Sequence, residues 1–192
     1  MHVASTSASE IRITLEVLVE LANRLRRRAA DPTPVSADGV RQVLAEAGFT
    51  RATSAPAAAL DRLTDRLVGL AALVEPFPDL ATVAAAVMVN EQLTELPVAP
   101  AVVEHDGVGP HIHWTPSTAR FDDQVVTDML MALAQELCDH GTGRFGRCAA
   151  TGCDQLFFDA TRNNSRRFCG DPRCASRTHT ADHRARRGRP PA

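Results

Sequence analysis

Four cysteines carry the clearest chemistry in this 192-residue chain. They fall as Cys148-x4-Cys153 and Cys169-x4-Cys174, two pairs of equal internal spacing set fifteen residues apart. Thiolates in such pairs can close on one tetrahedral ion, and zinc is the metal that four of them favour. Four protein ligands leave no open coordination position, so the expected site is structural, with one zinc per chain. Two disulfides would need an oxidising compartment that nothing else in the sequence supports. An iron–sulfur cluster suits the spacing less well. The fifth cysteine, Cys138, sits beside Leu137 in a helical pattern and reads as a small buried residue or a spare thiol.

The residues between and after the pairs say how they are held. Ala149-Ala150-Thr151-Gly152 is a tight turn, with Gly152 free to take positive φ. Gln155 to Phe158 reads as a strand, Thr161 to Ser165 as a turn, and Arg166 to Phe168 as the return strand. Asp171 and Pro172 suit the N-cap and first position of a helix, which puts Cys174 in its first turn. Knuckle, hairpin and helix together make a treble clef. Leu156, Phe157, Phe158 and Phe168 are expected to shield the metal, and nearby arginines to offset the net −2 charge of zinc with four thiolates. So small a module should not fold without metal, because zinc binding contributes ~10–16 kcal/mol.

The region before the cysteines reads as helical. Apolar content is 44%, yet aromatics are scarce, with seven Phe, one Trp and no Tyr, so the core must rely on Leu, Val and Ala. A first helix carries Ile11, Leu15, Leu18, Ala22 and Leu25, ends in Arg24 and Arg26 to Arg28 as a solvated turn, and stops at Pro32 and Pro34. A second runs from Ser36, its N-cap, to Ala47, with Gly48 as C-terminal cap. The third carries Leu60, Leu63, Leu67, Leu70, Ala71 and Val74 and ends at Pro76 and Pro78. The fourth is capped by Asp79 and buries Leu80, Val83, Val87 and Leu93, with Asn90 a polar interruption bonded to nearby backbone. Val98 to Glu104 and His111 to Thr115 form two short strands around Asp106-Gly107-Val108-Gly109. A long fifth helix, from about Thr118 to His140, buries Phe121, Val125, Met129, Leu133 and Leu137, and Gly141 and Gly143 end it. The expected fold is therefore mainly α: a helical N-terminal domain over 1–143 with one β-hairpin near 98–115, a small zinc finger over 144–187, and a disordered tail over 188–192.

Charge divides the chain in the same place. All 21 basic residues are arginine, and eleven of them lie in 144–192 against four aspartates, whereas 1–143 carries ten against nineteen acidic residues. A basic end behind an acidic body predicts a polyanionic partner or contact with the body itself. No run of eighteen apolar residues exists, so no membrane span is expected. Met1 to Glu10 lacks the basic and apolar regions of a signal peptide, which points to a reducing, cytoplasmic setting. His105, Asp106, His111 and His113 cluster on the hairpin, and His111-x-His113 puts two imidazoles on one strand face, but no third ligand follows at metal-binding spacing. Without GxSxG, HExxH or a Gly-rich phosphate loop, no enzyme is expected.

The cysteine segment resembles the CGNR zinc finger. That family sets two C-x4-C pairs around an S-R-N-x-S-R-R turn, and its last cysteine opens the signature Cys-Gly-Asn-Arg. Here the turn is Thr161-Arg162-Asn163-Asn164-Ser165-Arg166-Arg167, and the signature reads Cys174-Ala175-Ser176-Arg177, with Gly and Asn replaced. The region before it is similar, more loosely, to the ABATE domain, through Leu21-Ala22-Asn23, Ala47-Gly48-Phe49 and Asn90-Glu91-Gln92-Leu93. The resemblance implies a bacterial, cytoplasmic transcription regulator.

On that expectation the finger binds DNA. Arg177, Arg184 and Arg187 are spaced seven and three apart, so they share a helix face, with Arg173, Arg186 and Arg189 alongside. Arg162, Arg166 and Arg167 add charge from the hairpin. The competing expectation is a zinc-stapled interaction or sensor protein without DNA contact, its N-terminal domain holding a small molecule or a protein partner. Neither the operator, the effector nor the oligomeric state is written in the sequence.

Overall fold

A computed structural model describes residues 8–27, 36–104 and 109–187. The chain is mainly helical with two small antiparallel hairpins. Helix α1 (Ala8–Arg27) lies at the centre, packed on α3 (Ala57–Val74), α5 (Phe121–His140), α2 (Ala37–Glu46) and strand β4 (Leu156–Phe158). Its burial exceeds the expected stripe: Thr14, Val17, Val19, Leu21 and Asn23 join Leu15, Leu18, Ala22 and Leu25. A helix contacted on several sides must be apolar nearly all round.

The local signals hold for α2, α3 and α5. The Ser36 side chain accepts the Gly39 N–H at 3.1 Å, as an N-cap does, and Gly48 takes φ 89° after the helix. Every apolar residue named for the third helix is buried, as are Val125, Met129, Leu133 and Leu137 of α5. Gly141 ends α5 with φ 65°, and a Cβ there would meet Thr82 Oγ1 at 2.4 Å.

Helix α4 (Thr82–Thr94) differs from expectation. Asp79 does not cap it; Asp79 closes a short 3-10 turn (Phe77–Asp79), and α4 starts after Ala81. Its buried residues are Ala85 and Val89, while Val83, Val87 and Asn90 face outward. The segment TVAAAVMV is apolar on every side, so period alone could not choose its face. Its packing against α5 chose it.

Strands β1 (Ala101–Val103) and β2 (His111–His113) pair antiparallel, Ala101 with His113 and Val103 with His111. This is the expected hairpin, shorter than drawn; its turn at 105–108, with His105 and Asp106, lies outside the described residues.

The second hairpin corrects the sequence reading. Strand β4 pairs with β3 (Phe145–Arg147), upstream of the first cysteine, not with Arg166 to Phe168. The reason is burial. Phe145 and Phe158 face the helical core, and rings Phe77, Phe145 and Phe158 follow one another at 5.2 and 5.3 Å. Leu156 joins the same core. Thus, contrary to expectation, Leu156 and Phe158 do not shield the cysteines; the hairpin is attached to α1 and to the 3-10 turn that carries Phe77. Gly146 lies opposite Phe157, whose ring sits where a Cβ would be, 2.4 Å away.

Candidate metal centre

Three pieces of chain bring the cysteines together. The β3–β4 hairpin carries Cys148 and Cys153 in its tip, with Gly152 at φ 74°. The loop after β4 delivers Cys169, and helix α6 (Pro172–Arg187) delivers Cys174 from its first turn. The Arg173 N–H donates to Asp171 Oδ1 at 2.9 Å, so Asp171 caps α6 as the sequence predicts.

The loop is folded by one carboxylate. Asp159, buried, accepts bonds from the Thr161 N–H and hydroxyl and from the Arg166 N–H at 2.6–2.8 Å. Burial alone would raise its pKa; these bonds outweigh burial and hold it below the usual aspartate value. Asn164 takes the left-handed conformation, φ 46°, that the TRNNS turn requires.

All four Sγ atoms lie within 4.8 Å of one another, with Cys153–Cys169 at 3.9 Å and Cys169–Cys174 at 3.8 Å. Four sulfurs placed ~2.3 Å from a tetrahedral zinc would be about 3.8 Å apart. The geometry therefore fits the ion. Backbone N–H groups two residues ahead, at Ala150, Gln155 and Asp171, point at Cys148, Cys153 and Cys169. They suit thiolates better than thiols. Burial pushes the Cys169 thiol up to about 12; the Asp171 N–H opposes this, and the adjoining Cys148 and Cys174 thiols reinforce it. Four such groups stay ionised together only around a cation. Phe168 and Ala150 pack on the cluster, apart from the main core. Cys138 is exposed and takes no part.

The nine arginines singled out from sequence have different surroundings. Arg177 Nη2 lies 3.6 Å from Cys174 Sγ, so it neutralises the cluster. Arg166 donates to the carbonyls of Phe168 and Phe158 at 2.9 and 3.1 Å and covers the Phe157 ring. Arg173 is bound to both carboxylate oxygens of Asp171. Arg162, Arg167 and Arg184 are exposed, with no carboxylate partner among the described residues; Arg167 lies over Phe168. Arg186 and Arg187 extend α6, and Arg189 lies outside the described residues.

Residues that sequence reasoning passed over join finger to helices. Asn23 Nδ2 donates to the Leu156 carbonyl, and the Leu156 N–H donates to Asn23 Oδ1, both at 2.8 Å. Arg147 pairs with Glu75 and Asp79 at 2.9 and 3.2 Å. Arg26, expected to be solvated, pairs with Asp154 at 3.1 Å. The one signal the sequence offers for this is Asn23 itself, a polar residue within an otherwise apolar stretch of helix.

Such a cluster defines a four-cysteine zinc-finger site. Residues 144–187 match the family model of the CGNR zinc finger. No curated protein matches the chain significantly. No helix among the described residues is long and apolar enough to cross a membrane.

Proposed function

We propose that this protein is a DNA-binding transcription regulator whose zinc finger engages the phosphate backbone. The observation that carries the reading is the state of α6. Beyond Cys174 none of its described side chains is buried, and its described arginines pair with no residue of the helical region. Beyond Cys174 its ring contact is internal to the finger, His179 against Phe168; a polar helix so little packed is suited to an external partner, and one rich in arginine to a polyanion. Zinc supplies no chemistry in this role. The four thiolates would hold the ion and so tie the first turn of α6 to the hairpin.

The test is fluorescence anisotropy of the zinc-loaded chain on random duplex DNA across a salt series. If Arg162, Arg167, Arg184, Arg186 and Arg187 each neutralise one phosphate, the log–log slope is about −4 to −5. Arg167→Ala with Arg184→Ala reduces it by about 2. Arg177→Ala leaves the slope nearly unchanged and instead speeds zinc loss to a chelator. No binding at low salt overturns the proposal. A second reading, ligand or partner sensing without DNA contact, is supported by a groove of about 530 Å³ between α1 and the finger. Glu16, Glu20, Asn23, Arg166, Asp171 and Arg173 line it.

A further inference from the structure

Away from the cysteines, two imidazoles meet on strand β2. His111 and His113 are two residues apart, so the strand's alternation sends both rings to one face. Their Nε2 atoms are 3.3 Å apart and their ring centroids 5.1 Å. His111 is buried, 5% exposed, and its Nδ1 lies 2.9 Å from the Gly109 carbonyl oxygen. A carbonyl can only accept, so Nδ1 carries a proton, and in the neutral ring Nε2 turns a lone pair towards His113.

We propose that this pair is a second metal site, selective for a borderline divalent cation such as Zn(II) or Ni(II). Two imidazole nitrogens at ~2.0–2.1 Å from one tetrahedral ion stand about 3.3–3.4 Å apart, which is the separation found. A ring whose second nitrogen donates to a backbone carbonyl is the usual form of a histidine ligand, because that bond holds the tautomer and the ring plane. Pairing of β2 with β1 sets the spacing before any ion arrives. Nitrogen donors favour Zn, Ni and Cu over Mg and Ca. The competing account is that the two rings merely share a proton as an N–H···N bond.

Calorimetric titration of Ni(II) into the full-length chain, with zinc already in the cysteine site, decides between them. The expected result is one Ni(II) bound beyond the resident zinc, weakened tenfold or more in His111→Gln and in His113→Gln. His140→Gln and His179→Gln should bind as the parent does. His111 is buried and its variant could misfold; the half-buried His113 supplies the same test, with circular dichroism to verify folding. Equal nickel binding by the parent and His113→Gln, or no second equivalent in the parent, overturns the site in favour of the shared proton.

Discussion

Asn23 does for β4 what a neighbouring strand would do. Its amide presents one donor and one acceptor in the pattern of a peptide group, and Leu156 uses both. Because Asn23 is 7% exposed, water cannot replace it. Asn23→Ala should lower stability by about 1–3 kcal/mol, since it leaves the Leu156 N–H and carbonyl buried without partners. A urea midpoint measured on the zinc-loaded protein checks this, and an unchanged midpoint would mean that the hairpin is held by its aromatic contacts alone. The arginines divide on similar grounds. Arg144 reaches the Asp159 and Thr161 carbonyls, Arg147 the acidic turn after α3, and Arg177 the Cys174 sulfur. Much of the finger's positive charge is thus spent inside the molecule, which a net-charge count cannot reveal.

At the level of elements, the β3–β4 hairpin belongs to two structures at once. Its tip carries Cys148 and Cys153, and its base places Phe145, Leu156 and Phe158 in the helical core. The sequence alone leads one to expect that losing zinc unfolds all of 144–192. The packing changes that expectation. In Cys169→Ser, zinc should be lost and the loop and α6, over 159–187, should open, while amides of 145–147 and 156–158 stay protected by the core. Hydrogen exchange resolved by segment distinguishes the two cases. Uniform loss of protection across 144–187 would show that the metal, not the core, holds the hairpin.

For the whole molecule, Asp122 and Asp159 link folding to pH with one sign, whereas burial shifts Glu136 and Asp128 the other way. Asp122 is paired with Arg120 at 2.8 Å and lies within 3.3 and 3.5 Å of Arg62 and Arg66. Burial raises its pKa, but its backbone bond and these arginines outweigh burial and bring it below the ordinary 3.8. Asp159 is shifted the same way. A carboxylate with a depressed folded pKa contributes stability that is present above its unfolded pKa and is lost as pH falls through the folded one. The melting temperature should therefore fall steeply below about pH 4. Asp122→Asn should be less stable at neutral pH and show a shallower acid slope. Protonation of the cysteines is common to both proteins and cancels in the comparison. Equal slopes would place the acid sensitivity elsewhere.

How much of this was legible in the sequence depends on the range of the physics. Residue type and short spacing sufficed for the four-cysteine site, the Asp171-Pro172 start of α6, the Ser36 cap, the Thr161–Ser165 turn and the stripes of α3 and α5, because each rests on contacts within a few residues. Tertiary structure alone decided which face of the uniformly apolar α4 is buried, which segment pairs with β4, and which arginines are engaged internally. Those outcomes depend on partners far along the chain: Phe77 for Phe145, Asn23 for Leu156, Glu75 for Arg147. A strand can satisfy its backbone with any neighbour. It was the burial of Phe145 and Phe158 beside Phe77 that selected this one.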